Sequence, residues 1–470
     1  MSLTPASGYV FFLEALVRSI RGSVLRAGLL LALLAIVLSW PTASLSGVEP
    51  AGEHPLYLPT VLSNHPWVLP YGVEVSRPLT QTLAERAEEL DIGWMRLHRL
   101  HWRDVQPTEQ SAYDWSALSG FEDELRRLVA AGIQPIVVVH QSPHWATLHA
   151  TSCSAIRRDQ FAAFAAFMAA AVNRYKAPEF NVHHWELGNE PDVDPTLVEV
   201  DQVFGCWGDA QDPYYGGRYY GEMLRIVAPA IREADPGARI LIGGLLLDTP
   251  ASLVPGPGKP ALFLKGILEA GAADYFDIVP YHAYTYFSGA YIDHDIVTHP
   301  AWAAWGGLVM GKARFLRQIM YEYGVDKPLF LNETSLGCMS AHGACDPPPE
   351  AFFEAQADHL VRAYIRAQSM DVRGLIWYTL NGPGWRQGGL LTGTHERRPA
   401  FIAYRAMAQR LSGARYDSWA DYGVGIEAYR FSQREHNVHV LWSQDGATRN
   451  VRVLRSQLIR AHDRDGALLT

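Results

Sequence analysis

VHHWELGNEP, residues 182–191, sets Val182, Trp185 and Leu187 among polar residues and then runs into Gly-Asn-Glu-Pro. It has the length and aromatic content of a β-strand that stops on an ionisable side chain. PLFLNET, residues 328–334, repeats the plan: a short apolar run ending in Asn-Glu. Outward from these two, six more runs of the same kind occur: YGVEV at 71–75, GWMRLH at 93–98, PIVVVH at 135–140, RILIGGL at 239–245, FDIVPYHAY at 276–284 and GLIWYTL at 374–380. Helical stretches at 79–90, 121–132, 157–175, 308–323, 350–370 and 399–411 fall between and after them. The first carries Leu79, Leu83, Ala87 and Leu90 on one face. Strands alternating with helices predict an α/β fold with a parallel sheet. Eight of them predict a closed (β/α)8 TIM barrel. No GxGxxG follows the first strand, which argues against a dinucleotide-binding sheet. The strands finish in Glu74, His98, His140, Glu190, His282 and Glu333. In a barrel of this kind the C-terminal strand ends build the active site.

Glu190 ends the fourth strand and Glu333 the seventh, and these strands face each other across an eight-stranded barrel. Two carboxyl groups are the minimum machinery for breaking a glycosidic bond. One protonates the leaving oxygen, and the other attacks the anomeric carbon or activates water.

Asn-Glu-Pro at 189–191 after strand four, with a second glutamate in Asn-Glu-Thr at 332–334 after strand seven, resembles the clan A glycoside hydrolases. That clan includes family 5 cellulases, family 39 β-xylosidases and iduronidases, and family 79 glucuronidases. The resemblance covers roughly residues 70 to 411. It implies Glu190 as general acid/base and Glu333 as nucleophile of a retaining enzyme. It implies that Arg96 orients the nucleophile and keeps it ionised, as a neighbouring cation lowers a carboxyl pKa. It further implies that Asn189 bonds the sugar 2-hydroxyl, that His282 and Tyr284 flank the nucleophile, and that Trp377 forms an aromatic floor under the sugar. His140 joins this substrate-facing set from the end of strand three.

Other ionisable residues read differently. Adjacent His183 and His184 point to opposite faces of a strand, so they do not share one ligand site, and no His-x-His marks strand one. No catalytic metal and no cofactor are expected. Glu186 points into the barrel and needs a buried partner, for which Arg96 and His184 are candidates. Trp145, Trp207, Trp302 and Trp305 fall in loops and are candidate sugar platforms, each equally readable as core.

The 470 residues suit one large domain with an accessory, and 48% hydrophobic content supports a sizeable core. The net charge of −9, without a basic run, argues against a nucleic-acid partner. Residues 1–46 read as a signal peptide or a membrane anchor. Arg18, Arg21 and Arg26 precede the uncharged run at 27–40, whose anchor version extends back to residue 24. Proline-rich residues 47–66 read as a linker, 67–411 as the catalytic barrel, and 412–470 as a small antiparallel β accessory. In that tail GIEAYRFS, NVHVLWSQ and NVRVLRS are the expected strands. Four cysteines allow three pairings. Cys338 and Cys345 can close a short loop, leaving Cys153 to Cys206; four free thiols are the alternative.

The expected protein is therefore an extracellular or cell-surface retaining glycoside hydrolase acting on β-linked oligo- or polysaccharides. A transglycosylase using the same two glutamates, or a non-catalytic carbohydrate-binding barrel, are the alternatives. Which sugar it takes and its oligomeric state are not legible in the sequence.

Overall fold

The computed structural model describes residues 10–16 and 70–469, apart from 199–203, 251–258, 290–291, 298, 340–344, 434–435 and 454–456. Strand β1 (Phe11–Leu16) precedes eight parallel strands: β2 (Tyr71–Val75), β3 (Trp94–His101), β4 (Gln134–His140), β5 (His184–Asn189), β6 (Arg239–Gly244), β7 (Val279–Tyr286), β8 (Leu329–Gly337) and β9 (Val372–Trp377). Their order in the sheet is β6-β5-β4-β3-β2-β9-β8-β7. The ends meet where Leu245 N donates to Pro280 O and His282 N to Leu245 O, at 3.1 and 2.9 Å. This is the (β/α)8 barrel that the eight apolar runs predict.

Local signals place the helices between strands. Thr80 caps helix Gln81–Glu88 by accepting from Leu83 N at 3.3 Å. Helix Ser119–Ala131 stops at Gly132, whose φ of 70° is left-handed. The barrel interior is layered. Trp94, Ile136, Leu241, Ile278, Phe330 and Ile376 pack into one apolar cluster. His184 enters this layer against Trp94, ring centroids 4.8 Å apart, while His183 turns outward to Asp235 at 2.7 Å. Gly72 is required here, because a Cβ would lie 2.7 Å from Trp94 Cβ.

A second sheet has the order β10-β11-β12-β1-β13, adding β10 (Arg415–Trp419), β11 (Ile426–Ser432), β12 (His436–Ser443) and β13 (Leu458–Asp463). Two of the expected tail strands are β11 and β12. The third is corrected: 450–453 carries no strand, and β13 lies further along. Arg366, on helix Glu350–Ser369, ties this sheet to the barrel by bonding Glu427 of β11 and Asp293 of the loop after β7.

Of the expected leader or anchor at 1–46, only residues 10–16 are described. Residues 11–16 pair antiparallel with both β12 and β13, and Phe12 and Leu13 are buried. The run at 24–40 and the linker at 47–66 lie outside the described residues. Among the described residues, no helix is long and apolar enough to cross a membrane. Cys153 pairs with Cys206 and Cys338 with Cys345, at Cα separations of 5.1 and 5.5 Å.

Candidate active site

In a regular strand successive side chains alternate faces. The barrel mouth departs from this where chemistry-bearing residues cluster. The register of β8 against β9 shifts between Leu331 and Thr334. Asn332 and Glu333 consequently both reach inward, Asn332 Nδ2 to Glu186 Oε1 at 2.9 Å and Glu333 to Arg96. At the end of β5, Glu190 adopts a left-handed φ of 47°, uncommon for a side chain with a Cβ and typical of constrained functional positions. It follows Asn189, whose Oδ1 accepts from Arg96 Nη2 at 2.8 Å.

Arg96 is the hub. It has no solvent exposure. Its Nε and Nη2 fork onto Glu186 at 2.7 and 2.8 Å, and its Nη1 donates to Glu74 Oε2 at 2.6 Å and to Glu333 Oε1. Burial opposes its charge, but Glu186, Glu74 and Glu333 together hold its pKa well above the usual value. Of the two partners expected for Glu186, Arg96 is the one found. Arg96 is completely buried, so it meets the mouth only through the carboxyls it holds.

Tyr284 donates its hydroxyl to Glu333 Oε2. His282 Nδ1 lies 2.7 Å from Glu190 Oε1 and 3.5 Å from Glu333 Oε2. The ring seats there because β6 offers Gly244, where a Cβ would fall 2.2 Å from His282 Nε2. One oxygen each of Glu190 and Glu333 and one His282 nitrogen all lie within 4.8 Å of one another. Burial pushes the Glu190 carboxyl up to about 8, against the attraction of Arg96 and Lys312. Burial likewise pushes His282 down to about 4, leaving it neutral.

His140 stands further out, its ring 5.2 Å from His98 and 4.8 Å from His101. Two trios offer metal-ligand atoms at short range, Glu74–His98–Glu333 and Glu190–His282–Glu333. Both depend on Glu333, already shared by a guanidinium and a phenol; a cation placed there would face Arg96.

Trp377 is a further correction. It is 0% exposed and donates Nε1 to Gly388 O at 2.9 Å, so it cannot form the floor under a sugar. The next residue, Tyr378, is part-exposed and 6.0 Å from Tyr284. Trp385, 43% exposed, stands 5.3 Å from Tyr284 and carries Arg386 over its ring at 4.1 Å. Sequence reading missed both Tyr378 and Trp385. The YTLNGPGW run at 378–385 was the available signal, since an aromatic beside Gly and Pro after the last strand must lie in a mouth loop. The loop tryptophans singled out earlier are mostly core: Trp302 and Trp207 are buried, Trp305 packs on Phe315, and Trp145 donates to Gln106 O at 3.2 Å.

The same architecture recurs in solved structures. A family 39 glycoside hydrolase from Bacteroides cellulosilyticus WH2 matches over 84% of this chain and 79% of its own, at TM-score 0.59 and 17% identity. The fold is that of the glycoside hydrolase barrels. A GH30 endoxylanase from Clostridium papyrosolvens C71 matches over 84% of this chain and 94% of its own, at TM-score 0.55 and 12% identity. SrfJ from Salmonella typhimurium matches over 84% and 87%, at TM-score 0.57 and 14% identity. No family model and no curated protein match the sequence.

Proposed function

We propose that this chain is a retaining glycoside hydrolase of β-linked oligo- or polysaccharides, with Glu190 as general acid/base and Glu333 as nucleophile. The observation that carries the reading is the closeness of the two carboxyls, with oxygens within 4.8 Å of each other. Retaining enzymes hold theirs ~5–5.5 Å apart, whereas inverting ones leave ~6.5–9.5 Å for a water. Their environments differ as the two roles require. Glu190 sits against neutral His282 with its pKa raised to about 8, so it holds a proton at neutral pH. Glu333 accepts from the Arg96 guanidinium and from the Tyr284 hydroxyl.

In the first step Glu333 attacks the anomeric carbon and the glycosidic C–O bond breaks. The leaving oxygen takes the proton of Glu190. In the second, water gives a proton to the Glu190 carboxylate and its oxygen attacks the same carbon. Glu333 then departs as carboxylate, and two inversions give net retention. Asn189, held by Arg96, is placed to bond the sugar 2-hydroxyl; Tyr378 and Trp385 offer aromatic faces around the scissile bond. The two disulfides support an extracellular setting, since such bonds persist in oxidising compartments.

The test is a panel of aryl β-glycosides and polysaccharides offered to the purified protein, with proton NMR following the first anomer released. Release of the β-anomer is expected. An α-anomer first would exclude retention, and no turnover across the panel would exclude the β-glycosidase reading.

A further inference from the structure

Glu74 is a buried carboxyl beside the nucleophile that the double displacement does not use. It projects from β2, and its Oε2 shares Arg96 Nη1 with the nucleophile. The pocket it faces holds Arg96 and His98 from β3, Glu186 from β5, Tyr284 from β7, Glu333 from β8 and Tyr378 beyond β9.

One guanidinium thus meets three carboxyls, none with a side chain more than 7% exposed. Three anions against one cation would leave buried charge unpaired, and carboxyls sharing a site do not all ionise. Hydrogen-bond donors decide which one keeps its proton. Glu186 accepts from Arg96 twice, from Gly244 N at 2.9 Å and from Asn332 Nδ2 at 2.9 Å. Glu333 accepts from Arg96 and Tyr284. Glu74 accepts from Arg96 alone among the described residues. Its other oxygen, Oε1, stands 3.4 Å from His98 Nε2, a buried nitrogen with no hydrogen-bond partner among the described residues. Burial drives His98 well below its usual pKa, so that ring is neutral and can accept.

We propose that Glu74 holds a proton on Oε1, directed at His98 Nε2, and that this neutral carboxyl is a positioning residue that sets Arg96 Nη1 against the nucleophile. Burial, and then the charge of Glu333, push the Glu74 carboxyl well above the usual range, in agreement. The charge at this corner then belongs to Glu333, and Arg96 is not divided between two competing anions. The positioning part rests on Glu333 being the nucleophile; the protonation part does not.

The test compares wild type with Glu74→Gln and Glu74→Ala. A carboxyl held neutral by the fold loses stability as pH climbs above its unfolded value. Glutamine cannot ionise, so the melting temperature of Glu74→Gln relative to wild type should increase steadily from pH 5 to 8. A difference that stays flat over this range would mean a carboxylate in both states and overturn the proposal, as would failure of Glu74→Gln to fold. In kinetics on whichever aryl glycoside the protein cleaves, Glu74→Ala should lose on the order of 100-fold in kcat/KM, the scale of an ångström-sized misplacement. Glu74→Gln should recover most of that loss, with the acidic limb of its pH profile unmoved. A glutamine variant as slow as the alanine one, or an acidic limb displaced by a full pH unit, would overturn the positioning role. Should no glycoside be cleaved, the proposed function falls, while the melting comparison still decides where the proton sits.

Discussion

His282 Nδ1 lies 2.7 Å from Glu190 Oε1. The imidazole, neutral because burial pushes it down to about 4, gives the Glu190 carboxyl a neutral neighbour, and Glu190 keeps its proton up to about pH 8. Hydrolysis of substrates with poor leaving groups should therefore hold through neutrality and fall above about pH 8. Replacing His282 with Phe should lower kcat/KM on such substrates by roughly the ~10²–10⁴-fold that acid help supplies. Dinitrophenyl glycosides, which need little acid help, should lose much less. Equal losses on both classes would detach His282 from the proton-transfer step.

Azide separates the roles of the two glutamates. Glu333→Ala should abolish hydrolysis, and azide entering the vacated side should yield the glycosyl azide of inverted configuration. Glu190→Ala should still form the glycosyl-enzyme from dinitrophenyl substrates. Azide should then speed its breakdown and give the retained product. Reversed configurations, read by NMR, would exchange the assignments.

Stability should peak near pH 6.5. Buried His184 and His359, pushed to about 3, and His294, pushed to about 4, stay neutral in the fold. Between those values and their unfolded value near 6.5 the unfolded chain binds more protons, so stability rises with pH. Glu190 at about 8 and Asp192 at about 7 have the opposite sign. Above pH 6.5 the native state binds more protons through them, and stability falls toward pH 8. Thermal melts across pH 4–9 would check this; a monotonic rise through pH 8 would contradict it.

Trp385 and Trp377 should part company. Trp385→Ala removes an exposed ring beside Tyr284 and should raise KM several-fold, the scale of ~0.5–1.5 kcal/mol for an aromatic contact, with little change in melting. Trp377→Ala empties a fully buried site and should cost ~3–5 kcal/mol of stability. Denaturant melts and initial rates measure both. A KM effect confined to Trp377 would restore it as the sugar floor.

Deleting residues 1–46 removes β1 from between β12 and β13. Burying one large apolar side chain is worth ~1.5–3 kcal/mol, so losing Phe12 and Leu13 together should cost a few kcal/mol. Scanning calorimetry of the full and shortened chains tests this, and equal melting would show that the second sheet stands without β1.

The barrel was legible in the sequence, and so was the position of Glu190 and Glu333 at strand ends. Eight short apolar runs between amphipathic helices leave few ways to bury their faces, and Glu190 and Glu333 follow directly from strand ends. Glu186 could be read as needing a partner, because a buried carboxyl always does. Tertiary structure alone decided which partner. Arg96, forked onto Glu186 and shared by Glu74 and Glu333, lies 90, 22 and 237 residues from them in sequence. The choice between Trp377 and Tyr378 was equally hidden, because neighbours at a strand end differ only in the face the backbone gives them. So was β1, whose partners β12 and β13 come from the opposite end of the chain. Periodicity reports how a segment buries itself locally; contacts between distant segments are set by packing, and packing exists only once the chain has folded.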